Sequence, residues 1–228
     1  MRSDNDNWAP AIRRLETEGP ASLPTTLQGR ELAGPLQGFG RMFQKTYRVR
    51  VPGHTPEAVI AFWKEHFGEL WPEDQRFRSP AEGVHLGEIG VIDGSHGPVR
   101  METGVYVMYV DDRSFSFINP LGHPWSGWIT FSAHDEEVTV AQVSLLIRAS
   151  DPIYDFGFTF LGGARHEDEM WLHVLRGLAA RHGVDEEPVA DVRLVDRRRL
   201  WRNFLNVRYN AAIRGTFGRF LSRERTPA

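Results

Sequence analysis

Three side chains on one predicted helix have the spacing of metal ligands. His166, Glu169 and His173 lie at positions i, i+3 and i+7, so they fall on one side of that helix. This side is opposite the apolar stripe of the helix, where water is the expected neighbour. A His-Glu-x-x-His pattern is absent, and His85 and Glu88 would point to opposite faces of a strand. We therefore predict a solvated polar surface and no metal site.

A histidine and two tyrosines are candidates for proton transfer. His123 lies in a Gly- and Pro-containing loop, 119–127, and an imidazole beside a cavity can act as an acid or a base near neutral pH. In the alternative that we favour, Gly and Pro shape the loop and His123 only bonds the backbone. Tyr47 and Tyr109, on apolar strand faces, either place hydroxyl groups in a cavity or reach backbone carbonyls. His123 and Tyr109 are the weak catalytic candidates.

The sequence lacks the residues that several other kinds of catalysis require. The 228 residues include no Cys, which removes thiolate nucleophiles, zinc-thiolate sites and iron–sulfur clusters. A Gly-x-Ser-x-Gly elbow, a phosphate loop and a dinucleotide fingerprint are also absent from the sequence. Gly162-Gly163 precedes a predicted helix and could hold an anion there, although we favour a hinge. We expect no cofactor.

Composition and charge exclude several classes of protein. Apolar residues make up 41% of the chain and charged residues 25%, which is ordinary for a globular domain. The net charge of -3 drives no binding to nucleic acid. No apolar run is longer than that at 105–110, which is far shorter than the about 20 residues of a membrane span. With the polar N-terminus and the missing cysteines, these features predict a cytoplasmic protein.

The elements that must position these residues are mostly strands. Residues 43–51 alternate between an apolar and a polar face, and Thr55-Pro56 is typical of a helix start. Short turns then separate further alternating segments, which predicts antiparallel neighbours with one apolar and one wet face. These segments are 84–92, 99–110, 113–119, 127–133 and 137–149. A long helix over 164–182 follows, with an apolar stripe that packs on the sheet.

The C-terminal region is unusually basic. Residues 193–228 hold ten Arg against two acidic residues, a net charge of +8, which leaves -11 for the rest of the chain. A short strand at 192–195 and a last helix over 197–214 are predicted there. We expect the apolar side of this helix, which includes Trp201, Phe204 and Leu205, to be buried against the body or a second subunit rather than on a membrane.

The order of elements resembles a known fold family. The predicted order is a strand, a short helix, five antiparallel strands and a long helix. This order resembles an uncharacterised bacterial branch of the START-like, or birch-pollen-allergen-like, superfamily. Two short segments share the resemblance, Val-Pro-Gly-His-Thr-Pro-Glu-Ala-Val at 51–59 and Gly122-His123-Pro124 ahead of Gly127. The resemblance covers 43–183 and implies an α+β helix-grip fold, a curved antiparallel sheet wrapped around the long helix. Residues 1–42 and 184–228 are then N- and C-terminal extensions. The resemblance also implies a deep cavity, which this superfamily uses for lipids, sterols, hormones and polyketides.

The predicted function is binding of a small hydrophobic or amphipathic molecule between the sheet and the long helix. The alternatives are a cyclase- or aromatase-type enzyme acting on such a ligand, and a filled-core protein that acts through its surfaces. A cavity below about 300 Å³ would exclude a drug-sized ligand. We expect no nucleic acid or membrane partner, and a homodimer through the C-terminal helix is an alternative. The predicted lining comprises Tyr47, Met101, Val105, Tyr109, Phe117, Ile129, Val143, Leu145, Trp171 and Leu175.

Overall fold

One antiparallel sheet of eight strands dominates the computed structural model, which describes residues 4–16, 23–24, 26–79, 83–96 and 99–215. The strand order is β2-β3-β4-β5-β6-β7-β1-β8, so the first strand lies between the seventh and the last. The strands are β1 Met42–Arg50, β2 Gln75–Arg78, β3 Ile89–His96, β4 Val99–Val110, β5 Ser114–Ile118, β6 Trp125–Asp135, β7 Thr139–Ala149 and β8 Val189–Asp196.

Three longer α-helices accompany the sheet in the described part of the chain, and residues 211–215 form a further short α-helical segment. The longer helices are α1 Pro56–Glu65, α2 Pro152–Phe160 and α3 Gly163–Arg181. Thr55 caps α1 by accepting a hydrogen bond from the Ala58 amide, as its position before Pro56 predicted. The helix α3 packs on β1 and β7, so the predicted α+β helix-grip fold is confirmed. Among the described helices, none is long and apolar enough to cross a membrane.

Aromatic rings fill much of the space between the sheet and the helices. The centroid of the Phe131 ring lies 5.0 Å from that of Phe67 and 4.7 Å from that of Phe115. Trp63 and Trp171 meet the same ring at 5.3 Å and 5.5 Å. Such pairs contribute about 0.5–1.5 kcal/mol each beyond the burial of apolar area. These rings occupy space in which the family resemblance implied a deep cavity.

The outer face of the sheet is partly covered by the N-terminal segment. Leu15 and Leu27 form a second buried cluster with Ile89 and Tyr106 of the sheet. The Tyr106 hydroxyl donates to the carbonyl oxygen of Pro10 over 3.0 Å. The prediction of a wet outer face is therefore wrong in this region, because residues of the extension shield it from water.

Arg148 is an exception to the predicted wet face of the segment 137–149, because it is fully buried. Its Nη1 atom donates to the carbonyl oxygens of Gly40 and Arg198 over 2.6 Å and 2.7 Å, and its Nη2 atom pairs with Asp196. Hydrogen bonds from Arg198, together with this ion pair, hold the pKa of Asp196 well below its usual range. The arginine thus ties three segments of the chain together.

The last predicted helix takes a different form. A 3-10 helix, Trp201–Tyr209, replaces most of the predicted α-helix over 197–214. Three residues per turn place Asn203 and Asn206 on the side that faces the body. Asn203 Nδ2 donates to the carbonyls of Leu36 and Gly38 over 3.0 Å and 2.8 Å, and Asn206 Nδ2 donates to that of Gln37 over 2.7 Å. The helix is therefore attached by amide groups, with one ring contact between Trp201 and Phe39 at 5.2 Å.

The apolar side of this 3-10 helix faces away from the chain. Trp201 is 68% exposed, Leu205 is 63% exposed and Phe204 is 46% exposed. The prediction that they are buried against the body is wrong, because the asparagines occupy the inward side. Burying a side chain of this size is worth about 1.5–3 kcal/mol, which the isolated chain forgoes here.

Candidate functional site

Most of the predicted lining residues form core packing rather than a cavity wall. None of the ten lines the cavity beside Lys45 that is described below, or a second, polar hollow along β1 and β8. Met101 is half-buried, with its sulfur 3.7 Å from the Tyr154 hydroxyl oxygen. The remaining inward-facing residues of the set belong to one buried cluster, Tyr47, Val105, Phe117, Ile129, Val143, Leu145, Trp171 and Leu175.

Tyr109 lies on the outer face of the sheet, so the prediction that it lines an interior cavity is wrong. The register between β4 and β5 passes from Val107 opposite Phe117 to Tyr109 opposite Ser116, which marks a β-bulge. A bulge inserts one extra residue and reverses the faces that alternation predicts. The Tyr109 ring packs 4.7 Å from that of Trp8, and its hydroxyl donates to Asp111 over 2.6 Å.

His123 is tied to the backbone of its own loop. Its Nδ1 atom lies 3.0 Å from both the amide nitrogen and the carbonyl oxygen of Trp125. Burial lowers the pKa of His123 to about 4, so the imidazole is neutral at pH 7. It lines neither described cavity. These contacts match the alternative in which the ring organises the loop.

A small cavity opens where β1, α2 and α3 meet. Its volume is about 200 Å³. One wall is apolar, and the Trp125 and Phe158 rings stack there with centroids 3.8 Å apart. The other wall is charged. The lining residues are Arg41, Phe43, Lys45, Trp125, Ala149, Asp155, Phe158, Thr159, Ala164, Asp168 and Val192.

Lys45 is the central charge of this cavity. The alternation of β1 turns it inward between Phe43 and Tyr47, where it is 2% exposed. Its Nζ atom lies 2.7 Å from both Glu167 Oε2 and Asp168 Oδ1. Burial alone would lower the pKa of Lys45, but the two carboxylates outweigh burial and the net shift is upward. The group is therefore a fixed ammonium at neutral pH.

Asp168 extends the charged wall, and Tyr47 lies buried behind it. The Tyr47 hydroxyl donates to Asp168 Oδ1 over 2.5 Å. Burial, followed by the charge of Glu167, raises the pKa of Tyr47 far above its ordinary value, so the phenol stays protonated. Burial also raises the pKa of Glu167, against the opposing effect of Lys45. The Asp168 carboxylate in the wall is thus bonded by the Lys45 ammonium and, from the core side, by the Tyr47 phenol.

Arg41 supplies a hydrogen-bond donor with no partner in the described structure. Its Nε atom is buried and unbonded there, while its guanidinium lies 5.6 Å from the centroid of the Phe43 ring. The two carboxylates that line the cavity bond other donors, since Asp155 bonds Arg199 Nε over 2.7 Å and Asp168 accepts from Lys45 and Tyr47. A buried donor without an acceptor costs free energy. Arg41 therefore keeps one donor that no acceptor in the described structure satisfies.

Sequence reasoning missed Arg41, Lys45 and Asp168 as site residues. The signal for Lys45 is a charged residue at an inward position of an alternating strand. The signal for Asp168 is its place on the apolar stripe of α3, four residues after Ala164 and three before Trp171. His166, Glu169 and His173 form no metal-binding group, and no set of three His, Asp or Glu side chains in the described ranges does.

The fold and this cavity define an α+β helix-grip protein with a small, partly charged cavity. No family model and no curated protein matches the chain. Among solved structures it is similar to the di-domain ARO/CYC protein StfQ from the steffimycin biosynthetic pathway, with 15% identity and a TM-score of 0.48 over 63% of this chain and 53% of that one. This chain thus spans about half the length of that protein.

Two further solved structures share the likeness. Major latex-like protein 151 from Panax ginseng has 13% identity and a TM-score of 0.43, over 63% of this chain and 99% of that one. A protein from Thermus thermophilus has 15% identity and a TM-score of 0.46, over 62% and 96% of the two chains. The predicted START-like resemblance is confirmed for the fold by this chain's own element order and strand pairing. Its bacterial branch stays a prediction.

Proposed function

We propose that this protein binds a small amphipathic molecule whose oxygen atom accepts a hydrogen bond from Arg41. The observation that carries the proposal is the buried, unbonded Arg41 Nε atom beside an apolar wall. The ligand's apolar part packs on Phe43, Trp125 and Phe158. Its acceptor oxygen, of a carbonyl or a carboxylate, lies toward Arg41 and the ammonium of Lys45.

The volume of the cavity limits the size of this ligand. Cavities for drug-sized molecules usually measure about 300–1,000 Å³, whereas this one measures about 200 Å³. The proposed ligand is therefore a single-ring compound, or one end of a longer molecule that projects from the cavity. The aromatic core also supports the rival view of a filled-core protein, which would retain no ligand.

An enzyme acting on the same ligand is the second candidate. The supporting observation is that Lys45 and Tyr47 both bond Asp168, whose side chain is 31% exposed. A protonated lysine is a donor that stabilises a developing enolate, and a carboxylate can accept a proton. In this candidate, Lys45 and Asp168 take the proton-transfer role that the sequence suggested for His123 or Tyr109, and the buried Tyr47 phenol positions Asp168.

Native mass spectrometry of the purified protein, followed by ligand titration, tests the proposal. The probes are acetophenone, which has a carbonyl oxygen, and ethylbenzene, which has the same shape without it. We expect acetophenone to bind more tightly, by about tenfold for a hydrogen bond worth about 1.4 kcal/mol. Equal binding of the two probes, or of neither, contradicts the role of Arg41.

A matched pair of variants locates the binding site. Ala164→Phe fills the cavity, whereas Ala180→Phe makes the same change at an exposed position of α3. Ala164→Phe should abolish acetophenone binding, and Ala180→Phe should leave it unchanged. Arg41→Gln should reduce the preference for acetophenone over ethylbenzene. If binding survives in Ala164→Phe with wild-type affinity, the ligand lies elsewhere.

A further inference from the structure

The C-terminal 3-10 helix presents an apolar and basic surface to solvent. Trp201, Phe204 and Leu205 point outward, and the exposed arginines Arg202 and Arg208 accompany them. We call these five side chains the outer surface of the helix. Exposed apolar groups of this size, gathered in one short segment, mark interaction sites rather than ordinary solvated surface.

The orientation of this surface is built into the structure. Asn203 and Asn206 bond backbone carbonyls of 36–38 and 150, so a rotation that buries the apolar side would break these bonds. The rings of Trp201 and Phe204 stack at 6.3 Å, and the Trp201 ring packs edge-on at 5.2 Å against that of Phe39. The outer surface is therefore held in place in the isolated chain.

The charge around this surface selects an anionic partner. Residues 197–215 contain six Arg and no acidic residue. Arg198 and Arg199 pair with Asp196 and Asp155, while Arg202 and Arg208 form no ion pair with any residue that the structure describes. A two-fold symmetric dimer would set this positive surface against itself, so like charges would oppose it.

We propose that the outer surface docks on an anionic lipid membrane. Trp, Phe and Leu are the side chains that enter the boundary between headgroups and acyl chains, and arginine bonds lipid phosphates. The sequence favours burial of the apolar side against the body or a second subunit over a membrane, because burial of large apolar side chains is favourable. The structure instead leaves Trp201, Phe204 and Leu205 exposed. A surface of one short helix binds weakly and reversibly, and added salt weakens it.

Co-sedimentation with vesicles tests this proposal on the full chain. The vesicles are phosphatidylcholine alone and phosphatidylcholine mixed with phosphatidylglycerol. We expect binding to the mixed vesicles only, and loss of that binding as salt is raised. No binding to the mixed vesicles, or equal binding to both kinds, overturns the proposal. Displacement of the protein from the mixed vesicles by poly-glutamate, as effective as displacement by free phosphatidylglycerol vesicles, would also overturn the proposal. Any acidic polymer would then be a sufficient partner.

Matched variants assign the binding to this surface. Leu205→Glu changes an exposed side chain with no ring contact, and Leu161→Glu makes the same change at a similarly exposed position that ends α2. Leu205→Glu should weaken vesicle binding at least about tenfold, while Leu161→Glu should retain it. The double variant Arg202→Gln with Arg208→Gln should bind the mixed vesicles less tightly and respond less to added salt. The control double variant, Arg76→Gln with Arg165→Gln, changes exposed residues on β2 and α3. It should keep both the wild-type affinity and the wild-type response to salt.

Two outcomes among these variants contradict the proposal. One is equal loss of vesicle binding in Leu205→Glu and Leu161→Glu, which would indicate nonspecific adsorption. The other is a dimer of the wild-type chain, seen by light scattering, that Leu205→Glu dissociates while vesicle binding is unchanged. The melting temperature of each variant is measured alongside, and these exposed changes should leave it near the wild-type value.

Discussion

At the scale of single residues, Lys45 shows what a sequence pattern can and cannot reveal. The alternation of β1 correctly turns Lys45 inward with Tyr47, and a lysine at an inward position already indicates a partner. The partners themselves, Glu167 and Asp168, are more than a hundred positions away on α3. Which helix turn meets which strand depends on packing over the whole core, so the sequence alone could not pair them.

Removing the Lys45 ammonium should destabilise the protein, because its buried partner Glu167 then lacks a counter-charge. We expect Lys45→Met to lower the free energy of unfolding by about 3 kcal/mol or more, because Glu167 stays buried without a counter-charge. The double variant Lys45→Met with Glu167→Gln should recover part of this loss. Urea denaturation of the four proteins in the cycle measures the coupling. Strict additivity of the two single changes would contradict the pairing.

His123 should make the protein sensitive to mild acid. Its pKa is about 4 when folded and about 6.5 when unfolded, so the unfolded state takes up a proton first as the pH falls. The stabilising contribution is complete above pH of about 6.5 and is lost between there and about 4, by up to about 3 kcal/mol. His123→Asn should show a shallower fall in unfolding free energy over this range. Parallel curves for the two proteins would show that the imidazole titrates normally.

At the scale of elements, the sequence predicted the helices and strands whose form depends on neighbouring residues. The start of α1 and the alternation of β1 follow from Thr55, Pro56 and side-chain faces that neighbouring residues fix. The bulge before Tyr109 and the 3-10 form of Trp201–Tyr209 do not. The bulge appears only in the pairing of β4 with β5, and the 3-10 helix depends on asparagine bonds to distant carbonyls.

Gly122 should be essential for seating the C-terminal 3-10 helix. Its φ is +98°, and a Cβ atom there would lie 2.2 Å from the carbonyl oxygen of Tyr209. We expect Gly122→Ala to cost about 1–3 kcal/mol and to make 201–215 accessible to protease. Gly53→Ala is the control, because Gly53 has a φ of +81° but open space around it. Equal effects of the two changes would show that backbone strain alone matters.

At the scale of the whole molecule, the described parts of the N-terminal and C-terminal regions belong to the folded body. The N-terminal segment covers part of the outer face, and β8 pairs with β1 to extend the sheet. Arg148 then joins the carbonyls of Gly40 and Arg198 to the carboxylate of Asp196. Composition predicted that the ends differ from the centre. It could not predict that buried polar bonds attach them.

Truncation after Val195 should therefore destabilise the protein, although for a different reason than apolar burial. It removes Asp196 and leaves the buried Arg148 guanidinium without its carboxylate. It also removes Asn203 and Asn206 from their carbonyl partners. We expect a lower melting temperature by calorimetry, and Arg148→Met should produce part of the same loss. An unchanged melting temperature in the truncated chain would mean that these bonds contribute nothing net.

An NMR titration of the labelled protein with acetophenone most directly tests whether the cavity beside Arg41 and Lys45 holds a small molecule with an acceptor oxygen. The titration follows the Arg41 Nε–H resonance and the backbone amides of Lys45 and Ala164. We expect these three resonances to shift together and saturate, and to stay in place in Ala164→Phe. Shifts confined to core residues such as Val105 and Val143, with the Arg41 Nε–H resonance unmoved, would contradict binding in this cavity.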